Sequence, residues 1–222
     1  MDDIIHDLFE WSKAQHQEAE WESDMPTLTR RLGFNYRRHE YSFYDPDSRT
    51  IFVRYDATSQ EARVDTAHEL MHAVSMEGSP SYDAVLRYYH ASVSNLDDHI
   101  EVVTDHGADR FLMPDGLVEE IVKKCGYTAR AIWELSRFAN VNIYTALRRF
   151  VHFRPDRRVA AFFSSGGYIL GADARNLWLP FWLGDRIPEP HLLLEHGIST
   201  FNIPNCERQM LGVVLVDDFE AA

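Results

Sequence analysis

Apolar residues recur at helical spacing along the first twenty positions: Ile4, Ile5, Leu8, Phe9 and Trp11 share one stripe. They predict a helix over 2–21. A shorter helix follows in "SDMPTLTRRLGF", with Asp24 or Ser23 as its cap and Gly33 as its stop. The period then shortens. "NYRRHEYSFYDPDSRTIFVRYD" is rich in Tyr, Phe, Ile and Val and reads as two strands about a turn at "DPDS". Val64, Ala67, Met71 and Val74 restore the helical period. Thr58 and Glu61 have the spacing of a capping box, in which hydroxyl and carboxylate each satisfy a free backbone N–H. Gly78 and Pro80 end this helix after about five turns.

Residues 81–113 read as mostly helical, "MPDG" punctuates 113–116, and 115–152 hold two or three more helices. The character changes from 155. "RVAAFFSSGGYILGA" reads as a hairpin about 165–167, and "HLLLEHGISTFNI" and "MLGVVLVDDF" as strands. The pattern is therefore α+β, in three parts: 1–114, a helical segment 115–154, and a β-rich region 155–222.

Composition narrows the function classes. With 222 residues the chain can bury a core. Its formal net charge of −13 weighs against nonspecific nucleic-acid binding, which draws its affinity from Lys and Arg on phosphates. No apolar run reaches the length of about eighteen residues that a membrane span needs. The N-terminus "MDDIIHDLFEW" is acidic and lacks the apolar region of a secretory signal, so the expected location is cytoplasmic. Cys125 and Cys206 match no metal or redox spacing and are expected to be reduced.

The chemistry lies in "DTAHELMHAV", at 65–74. His68 and His72, four apart on a helix, stack on one face, and two imidazoles so placed can share a zinc ion. Glu69 points beside that line, where a carboxylate can take a proton from a metal-bound water. A third ligand is needed. His90, Asp97, Asp98, His99, Glu101, Asp105, His106 and Asp109 are the downstream candidates. On a helix over 98–111, Glu101, Asp105 and Asp109 share one face, and spacing alone does not choose between Glu101 and Asp105. A neighbouring carboxylate there can hold the free ring nitrogen of a histidine ligand. Tyr88, Tyr89, His90, His99 and His106 are candidate donors to an oxyanion.

"RTIFVRYDATSQEARVDTAHELMH" followed by "DHGADRFLMP" resembles the ImmA/IrrE-type metallopeptidases, over roughly residues 25–150. The resemblance implies a small zincin-like metallopeptidase domain over 1–114. It implies His68 and His72 as metal ligands and Glu69 as the catalytic base; two His and one carboxylate suit Zn²⁺ and also Mn²⁺. Counted back from Ala108, it puts the third ligand at Asp105, where the family usually carries Glu; Glu101 is the alternative. Asp109 takes the position of the family's Asn/Asp, expected behind the ligands. A second departure is the compact "ADRFLMP". The implied activity is site-specific cleavage of a cytoplasmic protein, a helix-turn-helix (HTH) repressor, in a stress or DNA-damage response.

"TARAIWELSRFANVNIYTALRRF" has an HTH-like pattern. Its second helix offers Asn142, Tyr144, Thr145, Arg148 and Arg149 for contact with DNA or a partner. This motivates a second expectation, a non-cleaving regulatory module that binds a repressor or DNA through 128–152. The charge favours a bundle that completes the core instead. Trp178, Phe181 and Trp182 in "NLWLPFWLG" are expected in the core of the C-terminal region.

Overall fold

The computed structural model describes residues 2–179, 182–187 and 197–216. It is mixed α+β and divides into two compact units, 1–114 and 115–222. Among the described residues no helix is long and apolar enough to cross a membrane.

The first unit runs α1 (Asp2–Glu18), α2 (Met25–Arg31), β1 (Asn35–His39), β2 (Phe43–Asp45), β3 (Thr50–Arg54), α3 (Ser59–Gly78), α4 (Tyr82–Ser92) and α5 (Leu96–Leu112). The stretch read as two strands forms three, in the order β1-β3-β2. β2 and β3 make the expected hairpin, while β1 pairs parallel to β3 on its other side. The chain therefore turns over the end of β3 at 40–42. Ser42 holds this crossing: its Oγ accepts from the Arg54 backbone N–H at 3.1 Å and donates to Asp65 Oδ2 at 2.7 Å. Ile51 and Val53 point inward from β3 and are fully buried.

α3 begins as its sequence dictates. Thr58 accepts from the Glu61 N–H, and Glu61 accepts from the Thr58 N–H at 2.8 Å. Its buried face, Ala67, Leu70, Met71 and Val74, packs against β3 and α5. Against α5 the approach is close. A Cβ placed on Gly107 would stand 2.4 Å from the Met71 sulfur and 2.7 Å from its Cγ. Met71 is itself fully buried, so it has no room to retreat.

In the second unit α6 (Asp115–Cys125), α7 (Ala129–Ala139) and α8 (Ile143–Val151) precede β4 (Arg158–Ser165), β5 (Tyr168–Arg175), β6 (Ser199–Asn202) and β7 (Gln209–Val216). The sheet is antiparallel, in the order β5-β4-β7-β6, with α7 and α8 packed on it. The helical segment and the β-rich region, separate in the sequence reading, thus form one unit. Trp178 and Trp182 correct a second expectation. They are 83% and 60% exposed, because the chain leaves the sheet after Arg175, and it is Leu179 between them that is buried. Phe181 and the stretch 191–196 lie outside the described residues.

Two measurements check this packing. Gly107→Ala should lower stability by about 1–3 kcal/mol through overpacking, more than the ~1 kcal/mol that alanine gains in helix propensity. Urea unfolding of the two proteins reads the difference. Arg149 is 2% exposed and pairs with Asp115 at 2.6 Å. Arg149→Ala should cost about 2–3 kcal/mol, the scale for breaking a buried polar contact, and show as a lower midpoint in the same experiment.

Candidate functional site

α3 and α5 bring five polar side chains together. His68 and His72 lie one turn apart on α3, with ring centroids 4.8 Å apart and their Nε2 atoms 3.1 Å apart. Glu101 on α5 reaches both: Oε2 stands 3.0 Å from His68 Nε2, and Oε1 stands 3.4 Å from His72 Nε2. On the far side of the rings, His68 Nδ1 donates to Asp105 Oδ1 at 2.9 Å, and His72 Nδ1 lies 3.5 Å from Thr104 Oγ1.

This arrangement orders the two carboxylates that spacing left equivalent. Asp105, preferred from the sequence as the third ligand, sits instead on Nδ1 of His68, behind the ring. Glu101, the alternative, is the group on the Nε2 side. The reason is position along α5: Glu101 lies one turn earlier, and its longer side chain spans the gap to both imidazoles. Asp109 is fully buried farther along the same helix. Of the other candidates, His90, Asp97, Asp98 and His99 are exposed, and His99 stacks on Tyr89 at 5.2 Å. Among the described residues, His68, His72 and Glu101 form the one group of such donors close enough to share an ion.

The donor chemistry fits a metal. With Nδ1–H given to Asp105, Nε2 of His68 carries a lone pair and faces a carboxylate oxygen at 3.0 Å. Two acceptors at that distance repel unless a cation or proton lies between them. Ligands at about 2.0–2.1 Å from a tetrahedral zinc stand roughly 3.3 Å apart. The three separations here, 3.0, 3.1 and 3.4 Å, are close to that value.

Electrostatics around the rings agree with these contacts. Burial pulls the pKa of His68 down, but the Asp105 bond with the charges of Glu69 and Glu101 outweighs it and leaves it raised. His72 is lowered, by burial and then by the neighbouring His68. Burial pushes the Glu69 carboxyl up to about 7; His68 opposes this, while Glu101 and Asp65 add to it.

An open cleft of about 470 Å³ reaches His68, Glu69 and Asp105 of this cluster. Val64, Asp65, His68 and Glu69 of α3 and Asp105 of α5 line it, with Glu40, Tyr41 and Ser42 of the crossing loop opposite. Arg54 Nε binds Asp65 Oδ2 at 3.1 Å and fastens this wall to α3. The sequence reading missed the crossing loop, whose partner Asp65 stands only three residues before His68. It also missed Tyr82, half-buried at the head of α4. Its phenol is pushed up by burial and by the charge of Glu101.

The helix proposed to read DNA is placed differently from that expectation. Asn142 caps α8, accepting from the Thr145 N–H at 2.9 Å. Thr145 and Arg149 are buried within the second unit, so neither is available to a partner. Tyr144 is 46% exposed, its ring lying over Gly171 of β5, and Arg148 is half-buried.

No known family profile matches the chain. Two curated proteins do. The radiation response metalloprotease IrrE of Deinococcus deserti is 30% identical over 104 residues, 47% of this chain and 36% of that protein. The radiation response metalloprotease IrrE of Deinococcus radiodurans is 28% identical over 104 residues, 47% of this chain and 31% of that protein. The matched stretch thus spans about a third of the length of these relatives. Among solved structures, a Mycobacterium tuberculosis transcriptional regulator superposes with a TM-score of 0.60, covering 94% of this chain and 75% of that one. At 12% identity this likeness is one of fold alone. In sequence, then, the chain is similar to IrrE metalloproteases over just under half its length, and in fold to a transcriptional regulator over nearly all of it.

Proposed function

We propose that this chain is a metal-dependent, site-specific endopeptidase of the ImmA/IrrE type, with a zincin-like first unit, that cleaves an HTH-type transcriptional repressor in a stress response. The observation that carries the reading is the convergence of His68, His72 and Glu101 with Glu69 beside them. The likeness to radiation response metalloproteases supports both the chemistry and the stress setting.

His68, His72 and Glu101 would hold the ion, Zn²⁺ or, with the same donor set, Mn²⁺. A divalent ion held there supplies Lewis acidity, polarising a peptide carbonyl and making water more acidic. The chain's own groups do the rest. Asp105 holds the Nδ1 proton of His68, which keeps Nε2 free to coordinate and fixes the ring. Thr104 lies at the corresponding atom of His72. Glu69, half-buried in the cleft wall, takes a proton from the attacking water at a carboxylate oxygen. It then delivers that proton to the amide nitrogen as the C–N bond breaks. The exposed cleft leaves room for a polypeptide beside these groups.

The alternative, a non-cleaving module that binds DNA or a repressor through 128–152, draws less support. Two of its five contact residues, Thr145 and Arg149, are buried.

Metal content separates the roles of the two carboxylates. Wild type should carry about one equivalent of Zn or Mn. Glu101→Ala should lose it, while Asp105→Ala should keep the site with affinity lowered about 10–100-fold. The reverse order would return the third ligand to Asp105. Glu69→Gln should keep the metal and lower cleavage by about 100-fold or more. The readout is mass spectrometry of new N-termini in cells that express either form, with a repressor expected among the cut proteins. If the same termini appear with Glu69→Gln, the peptidase reading is wrong.

A further inference from the structure

We propose that the outer face of the β1-β3-β2 sheet is a docking surface for an extended stretch of polypeptide substrate, one that carries an apolar side chain with an acidic residue beside it. The proposal deepens the peptidase reading and rests on it.

A small sheet with one face on the core normally turns polar side chains outward. Here Ile51 and Val53 fill the inner face, and the outer face carries an aromatic strip of Phe43, Phe52 and His39 among polar neighbours. Register places Arg37, Phe52 and Phe43 side by side across the three strands. Phe43 stacks on Phe52, with centroids 4.7 Å apart and planes 18° apart. His39 meets both edge-on, each at 5.3 Å. Tyr41 follows, its ring 6.4 Å from that of His39. Phe43 is 38% exposed and Tyr41 is 64% exposed.

Continuity with the cleft says what this strip is for. Tyr41 belongs to both, since it also lines the cleft with His68 and Glu69. A chain lying in the cleft and continuing past Tyr41 runs onto the rings of His39, Phe43 and Phe52. Aromatic side chains and Arg are the residues enriched at protein interfaces.

Charge narrows the occupant. Arg38 donates to the Tyr55 carbonyl, and Arg54 is held by Asp65 and Glu61. Arg37 is exposed beside Phe52 and, among the described residues, makes no ion pair or side-chain hydrogen bond. One guanidinium next to an aromatic strip suits a carboxylate flanking an apolar side chain. It does not suit a nucleic-acid strand, which needs several cations along its phosphates. Asp45 on β2 and Glu40 in the crossing loop would oppose a strand charged at every phosphate, and they confine a single acidic side chain to the β1 edge, where Arg37 stands across the sheet from Asp45.

The test selects a displayed library of linear dodecapeptides on the full, zinc-loaded chain carrying Glu69→Gln, which would hold substrates uncut. Selected peptides should converge on an apolar residue with Asp or Glu beside it. A converged peptide, synthesised with a fluorescent label, should lose about tenfold or more in affinity for Phe43→Ser and for Arg37→Glu. Exchanging its acidic residue for Lys should restore binding to Arg37→Glu, which a merely unfolded variant cannot show. Unchanged affinity for both variants, or no convergence, overturns the docking surface. So does a Phe43-dependent affinity for an oligothymidylate, or a Phe43-dependent dimer in sedimentation. Cleavage is read separately with the same peptide. If the peptide binds as expected but zinc-loaded wild type never cuts it or any longer chain that contains it, the peptidase reading fails while the surface stands. If Phe43→Ser cuts it as efficiently as wild type, the surface fails while the peptidase reading stands.

Discussion

Everything at the site depends on how closely α5 lies against α3. The contact is set where Gly107 offers no side chain and Met71 fills the space. Met71 lies between His68 and His72 on α3, and Thr104 and Asp105 precede Gly107 on α5 by less than one turn. The contact that seals the core therefore also sets the reach from α5 to both imidazoles. A polar cluster on two helices is only as well defined as the packing beneath it. Here that packing is a glycine against a buried thioether.

The sheet fixes the other flank of α3. Ser42 and Arg54 both engage Asp65, which lies three residues before His68 and four before Glu69. On a helix these positions share a face. The crossing loop is thus tied to the same strip of α3 that carries His68 and Glu69. That tie explains why three residues without regular secondary structure form a defined cleft wall.

What could be read in the sequence was local. Thr58, Glu61 and the apolar period of α3 announce a helix because caps and helical stripes act within a few residues. The same locality carried the hairpin of β2 with β3 and that of β4 with β5. The parallel pairing of β1 was not legible, since it joins strands that are not chain neighbours. The order of Glu101 and Asp105 was hidden for a similar reason. Both lie on one face of α5, and only the phase of α5 against α3 decides which meets Nε2. The periodicity of α7 and α8 announces two helices, but it does not separate Thr145 and Arg149 from the surface groups beside them. Arg149 is buried because Asp115, thirty-four positions earlier, comes to meet it. Trp178 and Trp182 erred the other way: large aromatic rings suggest a core, and here the loop holds them out in solvent.

The two carboxylates on α5 are not interchangeable. One ring, that of His68, is approached from both of its nitrogens, by a long side chain on one side and a short one on the other. Exchanging Glu101 and Asp105 would leave composition, charge and helix spacing unchanged. It would also draw one oxygen back by the length of a methylene, about 1.5 Å, and push the other into the imidazole by as much. The chain thus carries a polarity in arm length along α5, and a double exchange would be harmful where neither residue type is lost.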